Sequence, residues 1–161
     1  MFQSLKGTDP KENYKLLVKT AEAFIEDEKD LIALLSNLSA LINYYVDEIN
    51  WAGFYLLKGA ELVLGPFQGK PACTRIAEGK GVSGKAVKEA KSAIVDDVHQ
   101  FPGHIACDSE SASELVIPFF KDGKVYGVLD IDSPLPGRFT DLEAEYLGQI
   151  AALLTAFLNG L

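Results

Sequence analysis

The sequence has few cysteines, few basic residues and no long apolar run. Cys73 and Cys107 are the two cysteines among 161 residues. Two are too few for the disulfide framework of a small secreted protein, but they suffice for one bridge or one redox pair. No stretch approaches the ~20 apolar residues of a membrane span, and the first ten residues lack the apolar run of a signal peptide. We therefore expect a cytoplasmic protein with no membrane partner.

Acidic residues outnumber basic ones. Lys and Arg total 15 against 23 Asp and Glu, which gives a net charge of -8 at pH 7. Such a surface repels a phosphate backbone, so we expect no nucleic-acid partner. The hydrophobic fraction of 48% and the mean hydropathy of +0.09 exclude a disordered chain. The length predicts a single domain over residues 1–161.

Apolar residues recur at intervals of three and four in three segments, which predicts amphipathic helices. The first begins at Thr8 or Asp9, the second runs from about 31 to 49, and the third begins at Asp141 and closes the chain. Strand-like composition predicts strands at 51–57, 61–67, 72–76, 93–97, 113–120 and 124–131.

The arrangement of these segments predicts the fold class. The dipeptide Asp122-Gly123 separates the last two strands and suits a type I′ turn, whose central residues need left-handed dihedrals. Adjacent strand pairs between terminal helices indicate an α+β fold. We expect a five- or six-stranded, mainly antiparallel sheet with the terminal helices packed on one face.

One segment fits no regular element. Residues 97–112, DVHQFPGHIACDSESA, lack apolar periodicity, and a loop of this length is uncommon unless it is functional. Its His99, His104 and Cys107, together with Cys73, could supply zinc donors, but neither CxxC nor HxxxH spacing occurs, so we expect no metal. His104 lies three residues before Cys107, where an imidazolium would lower the pKa of the thiol. A buried, inert thiol is the alternative.

A glycine-rich segment, GKGVSG at 79–84, is predicted to lead into a short helix that ends near Lys91. It lacks the ending and the spacing of a P-loop. Either it is a turn and helix cap, or it lines a small-molecule site where backbone amides at the helix start hold a carboxylate.

Two groups of side chains have the spacing to line a pocket. Asp130 and Asp132 alternate along one strand and share a face, and Glu114 falls near cross-strand register with them. Clustered acids would raise one another's pKa and could hold an ammonium group; solvent-exposed carboxylates are the alternative. Trp51 and Tyr55 also share a strand face, either as core or as the wall of a pocket for a methyl-bearing or sulfonium-like group.

Six motifs together resemble one known family, the free methionine-(R)-sulfoxide reductases, which are enzymes with a GAF-domain fold. They are NWAGFYLL (50–57), LGPFQGKPACTRI (64–76), GKGVSG (79–84), DVHQFPGHIACDS (97–109), SELVIP (113–118) and GVLDIDSP (127–134). The resemblance covers roughly residues 10–158 and implies a single GAF-like domain that acts on the free amino acid.

The resemblance also implies how the two cysteines act. Cys107 would be the nucleophile that attacks the sulfoxide sulfur and becomes a sulfenic acid. Cys73 would resolve it as a disulfide, which thioredoxin then reduces. No cofactor is implied, and the oligomeric state stays open, a homodimer included.

Pocket residues receive roles by the same resemblance. Trp51 and Tyr55 would pack around the substrate side chain. The acids would bind the substrate amino group and protonate or polarise the sulfoxide oxygen, with Glu114 and Asp132 as catalytic residues and Asp130 as a binding residue.

The chain departs from the family at one position. The family motif GVCG reads GVSG here, so Ser83 stands where a third cysteine is expected, and it is assigned to substrate binding. Activity survives if Cys107 attacks and Cys73 resolves, whereas it falls if the missing thiol is essential. A non-catalytic GAF module that binds a small ligand or senses redox state is the alternative function.

Overall fold

The computed structural model describes residues 2–160, which form four α-helices and six strands. The helices are α1 (Pro10–Asp27), α2 (Leu31–Tyr45), α3 (Gly81–Glu89) and α4 (Asp141–Asn159). The strands are β1 (Trp51–Lys58), β2 (Glu61–Gly69), β3 (Arg75–Ala77), β4 (Ala93–Val95), β5 (Ser113–Lys121) and β6 (Lys124–Ser133). They form one antiparallel sheet in the order β3-β2-β1-β6-β5-β4, which confirms the predicted α+β class.

Short polar side chains mark the helix starts. Asp9, rather than Thr8, caps α1 by accepting a hydrogen bond from the Lys11 amide, and Asp30 caps α2 in the same way. Thr140 and Glu143 form a reciprocal capping box at the start of α4.

The predicted end of α2, near residue 49, is wrong by four residues. The helix ends at Tyr45, and Glu48 has a left-handed φ of 60° that turns the chain toward β1. Two hydrogen bonds between this segment and the end of β6 explain the early end of the helix. The Ser133 hydroxyl donates to the Glu48 carbonyl at 2.6 Å, and the Asn50 amide donates to the Asp132 carbonyl at 3.0 Å. The end of β6 thus binds the backbone of Glu48 and Asn50, next to residues that the apolar periodicity had assigned to the helix.

The strand predictions hold best at the hairpin. Asp122 and Gly123 have φ values of 51° and 74°, as a type I′ turn requires, and they join β5 to β6. The third strand, predicted at 72–76, is instead Arg75–Ala77, because the preceding residues leave the sheet to carry Cys73. Strand β4 stops two residues early, since Asp97 caps a single 3₁₀ turn over residues 98–100.

Both faces of the sheet are covered. Helices α1, α2 and α4 bury the larger apolar core against one face, which confirms the predicted placement of the terminal helices. Helix α3 packs on the opposite face, over β5 and β6. Among residues 2–160, none of the helices combines the length and the hydropathy needed to cross a membrane.

Candidate active site

A cavity of about 50 Å³ lies on the face of the sheet that α3 covers. Its walls come from β1, β3, β5, β6, the start of α3, the connection between β2 and β3, and the loop at 97–112. The lining side chains include Trp51, Tyr55, Ser83, His104, Cys107, Glu114, Asp130 and Asp132. The fold therefore brings every predicted site residue except Cys73 into the cavity wall, and Cys73 is bonded to Cys107.

Three carboxyl groups meet at the sheet side of this cavity. Glu114 on β5 pairs directly with Asp132 on β6, and Asp130 lies two residues away on the same face. One carboxylate oxygen of each lies within 4.8 Å of the other two. The predicted cross-strand arrangement is confirmed. We call Glu114, Asp130 and Asp132 the carboxyl trio; its oxygens suit an ammonium group and, by donor type alone, also a hard cation.

Burial dominates the protonation of the carboxyl trio. It raises the pKa of Glu114 and of Asp132 well above their usual range, and the charge of Asp130 raises both further. Burial also raises the pKa of Asp130, but hydrogen bonds from Glu114 and Ser83 oppose that effect. The Ser83 hydroxyl donates to Asp130 Oδ2 at 3.0 Å. The trio therefore retains protons at a pH where exposed carboxyls are ionised, with Asp130 the best-supported anion.

The two cysteines form a disulfide. Their Cα atoms lie 5.4 Å apart across a separation of 34 residues, within the range that direct bridging requires. The Tyr55 hydroxyl fixes the Cys73 side of the bridge by donating to the Cys73 carbonyl at 2.8 Å. Because the sulfurs are bonded to each other, neither is a free thiolate ligand for zinc in this state.

Stacked aromatic rings form another wall. The Trp51 and Tyr55 rings lie 5.9 Å apart and nearly parallel, and Phe67 stacks behind Trp51 at 5.2 Å. Gly53 makes this packing feasible, because a Cβ there would lie 2.8 Å from the indole and 2.3 Å from the Phe67 Cβ. The shared face predicted for Trp51 and Tyr55 is confirmed, and both rings also contact the apolar group beneath α3.

The loop at 97–112 closes over the start of α3. The Gly81 amide donates to the Gly103 carbonyl at 3.2 Å, and the Ile105 side chain packs against Gly81, 3.5 Å from where a Cβ would lie. His104 Nε2 is buried and has no hydrogen-bond partner within residues 2–160. Burial, and then the nearby His99, lower the pKa of His104, so its imidazole is neutral at the cavity wall.

Sequence reasoning missed the polar residues that hold the loop. The Asn50 side-chain amide donates to Asp108 at 3.2 Å and to Ser111 at 3.1 Å, and the Ala112 amide donates to the Ser133 carbonyl. The signal available in the sequence was the run of short polar residues directly after Cys107, but its partner, Asn50, is 58 residues from Asp108.

Comparisons with known proteins agree with this geometry. The family model of the GAF domain matches residues 37–159. The free methionine-R-sulfoxide reductase of Escherichia coli (strain K12) is 49% identical over 143 residues, 89% of this chain and 87% of that protein.

Two solved structures are similar over nearly the whole chain. One is the reduced form of fRMsr of Staphylococcus aureus, with 54% identity, a TM-score of 0.88, and coverage of 98% of this chain and 99% of that one. The other is the free methionine-R-sulfoxide reductase of Neisseria meningitidis in complex with its substrate, with 40% identity, a TM-score of 0.93, and coverage of 98% and 95%. The chain belongs to the GAF-domain family and, within it, to the group that contains the free methionine-R-sulfoxide reductases.

Proposed function

We propose that this protein reduces free methionine-R-sulfoxide to methionine, with Cys107 as the attacking thiolate, Cys73 as the resolving thiol and thioredoxin as the reductant. The observation that carries the proposal is the Cys73–Cys107 disulfide at a cavity that also holds the carboxyl trio and the stacked Trp51 and Tyr55 rings. The names of the relatives at 49% and 54% identity support the same reaction.

The redox step balances without a cofactor. The Cys107 thiolate attacks the sulfoxide sulfur, oxygen passes to Cys107, and methionine leaves, so that the substrate sulfur is reduced and Cys107 becomes a sulfenic acid. The Cys73 thiol then attacks the Cys107 sulfur and releases water, which forms the disulfide seen here. A dithiol protein such as thioredoxin completes the cycle by thiol–disulfide exchange and leaves as the oxidised product.

The carboxyl trio supplies the proton that this step needs. A proton on the sulfoxide oxygen makes the substrate sulfur more electrophilic and passes with the oxygen to Cys107, which gives the neutral sulfenic acid. The raised pKa values of Glu114 and Asp132 keep such a proton available near neutral pH. The ionised Asp130 supplies the negative charge that an ammonium group requires. Glu114 and Asp132 are therefore proposed as the catalytic acids and Asp130 as the binding group for the substrate amino nitrogen.

The opposite end of a zwitterionic substrate needs donors. The first-turn amides of Val82 and Ser83 have no acceptor elsewhere among residues 2–160, and α3 begins without a side-chain cap. Since helix N-terminal amides favour anions, they are the proposed donors to the substrate carboxylate. The Trp51 and Tyr55 rings then face the methyl and sulfur end. An amino acid within a protein chain lacks both charges, so this arrangement favours the free amino acid.

The test measures methionine released from each epimer of free methionine sulfoxide. We expect the wild-type protein with thioredoxin, its reductase and NADPH to consume the R epimer over many turnovers. Cys107→Ser should release none. Cys73→Ser should release one equivalent per chain with thioredoxin, because the sulfenic acid then has no resolving thiol. Ser39→Ala, a buried serine outside the site, is the matched control and should retain full activity.

Failure to consume either epimer would overturn the proposal and favour a non-catalytic ligand-binding module. Undiminished turnover by Cys107→Ser would reassign the nucleophile. Turnover with dithiothreitol but none with thioredoxin would reject only the proposed reductant.

A further inference from the structure

Ser83 donates a hydrogen bond to Asp130, a contact that the sequence alone does not predict. It lies in the first turn of α3, is 2% exposed, and donates through Oγ to Asp130 Oδ2 at 3.0 Å. The other oxygen, Asp130 Oδ1, is buried and accepts no hydrogen bond from an N–H or hydroxyl of residues 2–160. The neutral carboxyl of Glu114, across the β5–β6 pair, is the remaining donor within reach.

We propose that Ser83 is a positioning residue that keeps Asp130 as the charged member of the carboxyl trio and thereby leaves the transferable proton on Glu114 and Asp132. This inference rests on the proposed reductase function and concerns the same cavity. The hydroxyl of Ser83 suits this role, because a hydroxyl is a stronger hydrogen-bond donor than a thiol.

The surroundings of Asp130 explain why one hydroxyl has this effect. Among residues 2–160, no lysine or arginine lines the cavity. The titratable groups facing it come from β1, β5, β6 and the loop at 97–112, and they are Tyr55, Glu114, Asp132, His104 and Asp108, with the two thiols added after reduction. All of these except His104 are acids, and His104 is neutral. With no lysine or arginine among these described lining residues, hydrogen-bond donors decide which carboxyl is ionised.

A competing reading is that the hydroxyl merely packs α3 onto the sheet. Ser39 offers a matched comparison, because it is also a fully buried helical serine, and it donates to the Leu35 and Pro66 carbonyls without touching a carboxylate. A purely structural serine should alter stability at either position, whereas only Ser83 should alter how activity depends on pH.

The experiment compares kcat/KM profiles between pH 5 and 9 for wild type, Ser83→Ala, Ser83→Thr and Ser39→Ala, with free methionine-R-sulfoxide and dithiothreitol. Loss of a hydrogen bond to an ionised carboxylate raises its pKa, so the acidic limb of Ser83→Ala should move up by about one to two pH units. Ser83→Thr, which keeps the hydroxyl, should restore the wild-type limb, and Ser39→Ala should not move it. An unchanged profile in Ser83→Ala, or an equal shift in Ser39→Ala, would overturn the proposal.

A second measurement stands apart from turnover and from the folding of any variant. Carboxyl carbon NMR of the reduced wild-type protein without substrate should show Asp130 ionising at the lowest pH of the trio. If Asp130 ionises last, the role of Ser83 is wrong even in an active enzyme. If the wild-type protein is inactive but Asp130 ionises first, the reductase proposal fails and the Ser83 assignment stands as a property of the cavity.

Discussion

The carboxyl trio and Glu143 are buried acids whose pKa values are shifted in opposite directions. In the carboxyl trio, burial raises the pKa of all three acids, and the charge of Asp130 raises the pKa of Glu114 and of Asp132 further. On the face of the sheet that carries α1, α2 and α4, Glu143 at the start of α4 is also buried, with its side chain 6% exposed. Burial alone would raise its pKa, but hydrogen bonds from Thr140, Arg138 and Tyr14 lower it to about 2.

The difference lies in the partners. Glu143 accepts hydrogen bonds from Arg138 Nη1 at 2.9 Å, the Tyr14 hydroxyl at 2.9 Å and the Thr140 hydroxyl at 2.7 Å. Glu143 thus forms an ion pair with Arg138 in the loop before α4 and a hydrogen bond with Tyr14 on α1, which connects these three parts of the fold. No lysine or arginine among residues 2–160 lines the cavity of the trio, so its three acids share their protons. Burial of an acid alone thus does not identify a functional site. A buried acid that has no basic side chain as a partner is a much better indication of one.

The largest effect is expected from a substitution in the trio that lowers activity and leaves stability unchanged. Glu114→Gln removes the proposed proton donor, so kcat/KM should fall on the order of 10²- to 10⁴-fold. The Tm of the oxidised protein should not fall, because the amide replaces a carboxyl that is unfavourable when ionised. Assay of methionine release and calorimetry of the same preparation check both halves. A large drop in Tm would show that Glu114 is mainly structural.

The second prediction is that a substitution of Glu143 lowers stability and leaves activity nearly unchanged. A carboxyl whose pKa is lowered from 4.5 to about 2 contributes about 3 kcal/mol of stability above pH 4.5, which is lost as the pH falls toward 2. Glu143→Gln should therefore lower the free energy of unfolding by about 3 kcal/mol and the Tm by roughly 6–12 °C. Urea unfolding measures this. With the variant kept folded at low temperature, kcat/KM should remain within twofold of wild type; a greater loss would link the two regions.

The smallest effect concerns the pH dependence of stability. Groups with raised folded pKa values stabilise the fold at low pH, and that contribution is lost as the pH rises through the folded pKa. The oxidised wild-type protein should thus lose stability as the pH rises from 5 toward the raised folded pKa values of Glu114 and Asp132. Asp132→Asn should flatten this slope, because the pKa of Asp132 is raised well above its usual range.

Glu143→Gln is the control for that slope. Its own titration lies between about 2 and 4.5, so the dependence between pH 5 and 8 should match wild type. A slope that is equally flat in the wild type and in Asp132→Asn would mean that the trio is ionised in the folded protein, contrary to its burial.

The sheet side of the site was predictable because strand periodicity and one turn determine it. With Asp122-Gly123 as the turn, Glu114 had to lie near Asp130 and Asp132, and it pairs with Asp132. The pairing of Cys73 with Cys107 followed only from the family resemblance, since no local pattern links residues 34 positions apart in irregular segments.

The parts built from tertiary packing were not predictable. The contact between Ser83 and Asp130 depends on how α3 sits on the sheet, which neither segment encodes alone. The early end of α2 depends likewise on capture of its following residues by β6. Apolar periodicity predicts single strands and helices, whereas these contacts form between one element and another.

Neither cysteine belongs to a helix or a strand. Cys73 lies between β2 and β3, and Cys107 lies in the loop at 97–112. No backbone hydrogen bond of the sheet is made by either residue. The sulfur atoms can therefore be oxidised, bridged and released while the backbone hydrogen bonds of the sheet stay intact. The conformational changes of repeated turnover are thus confined to two connections and spare the strands that orient the acids.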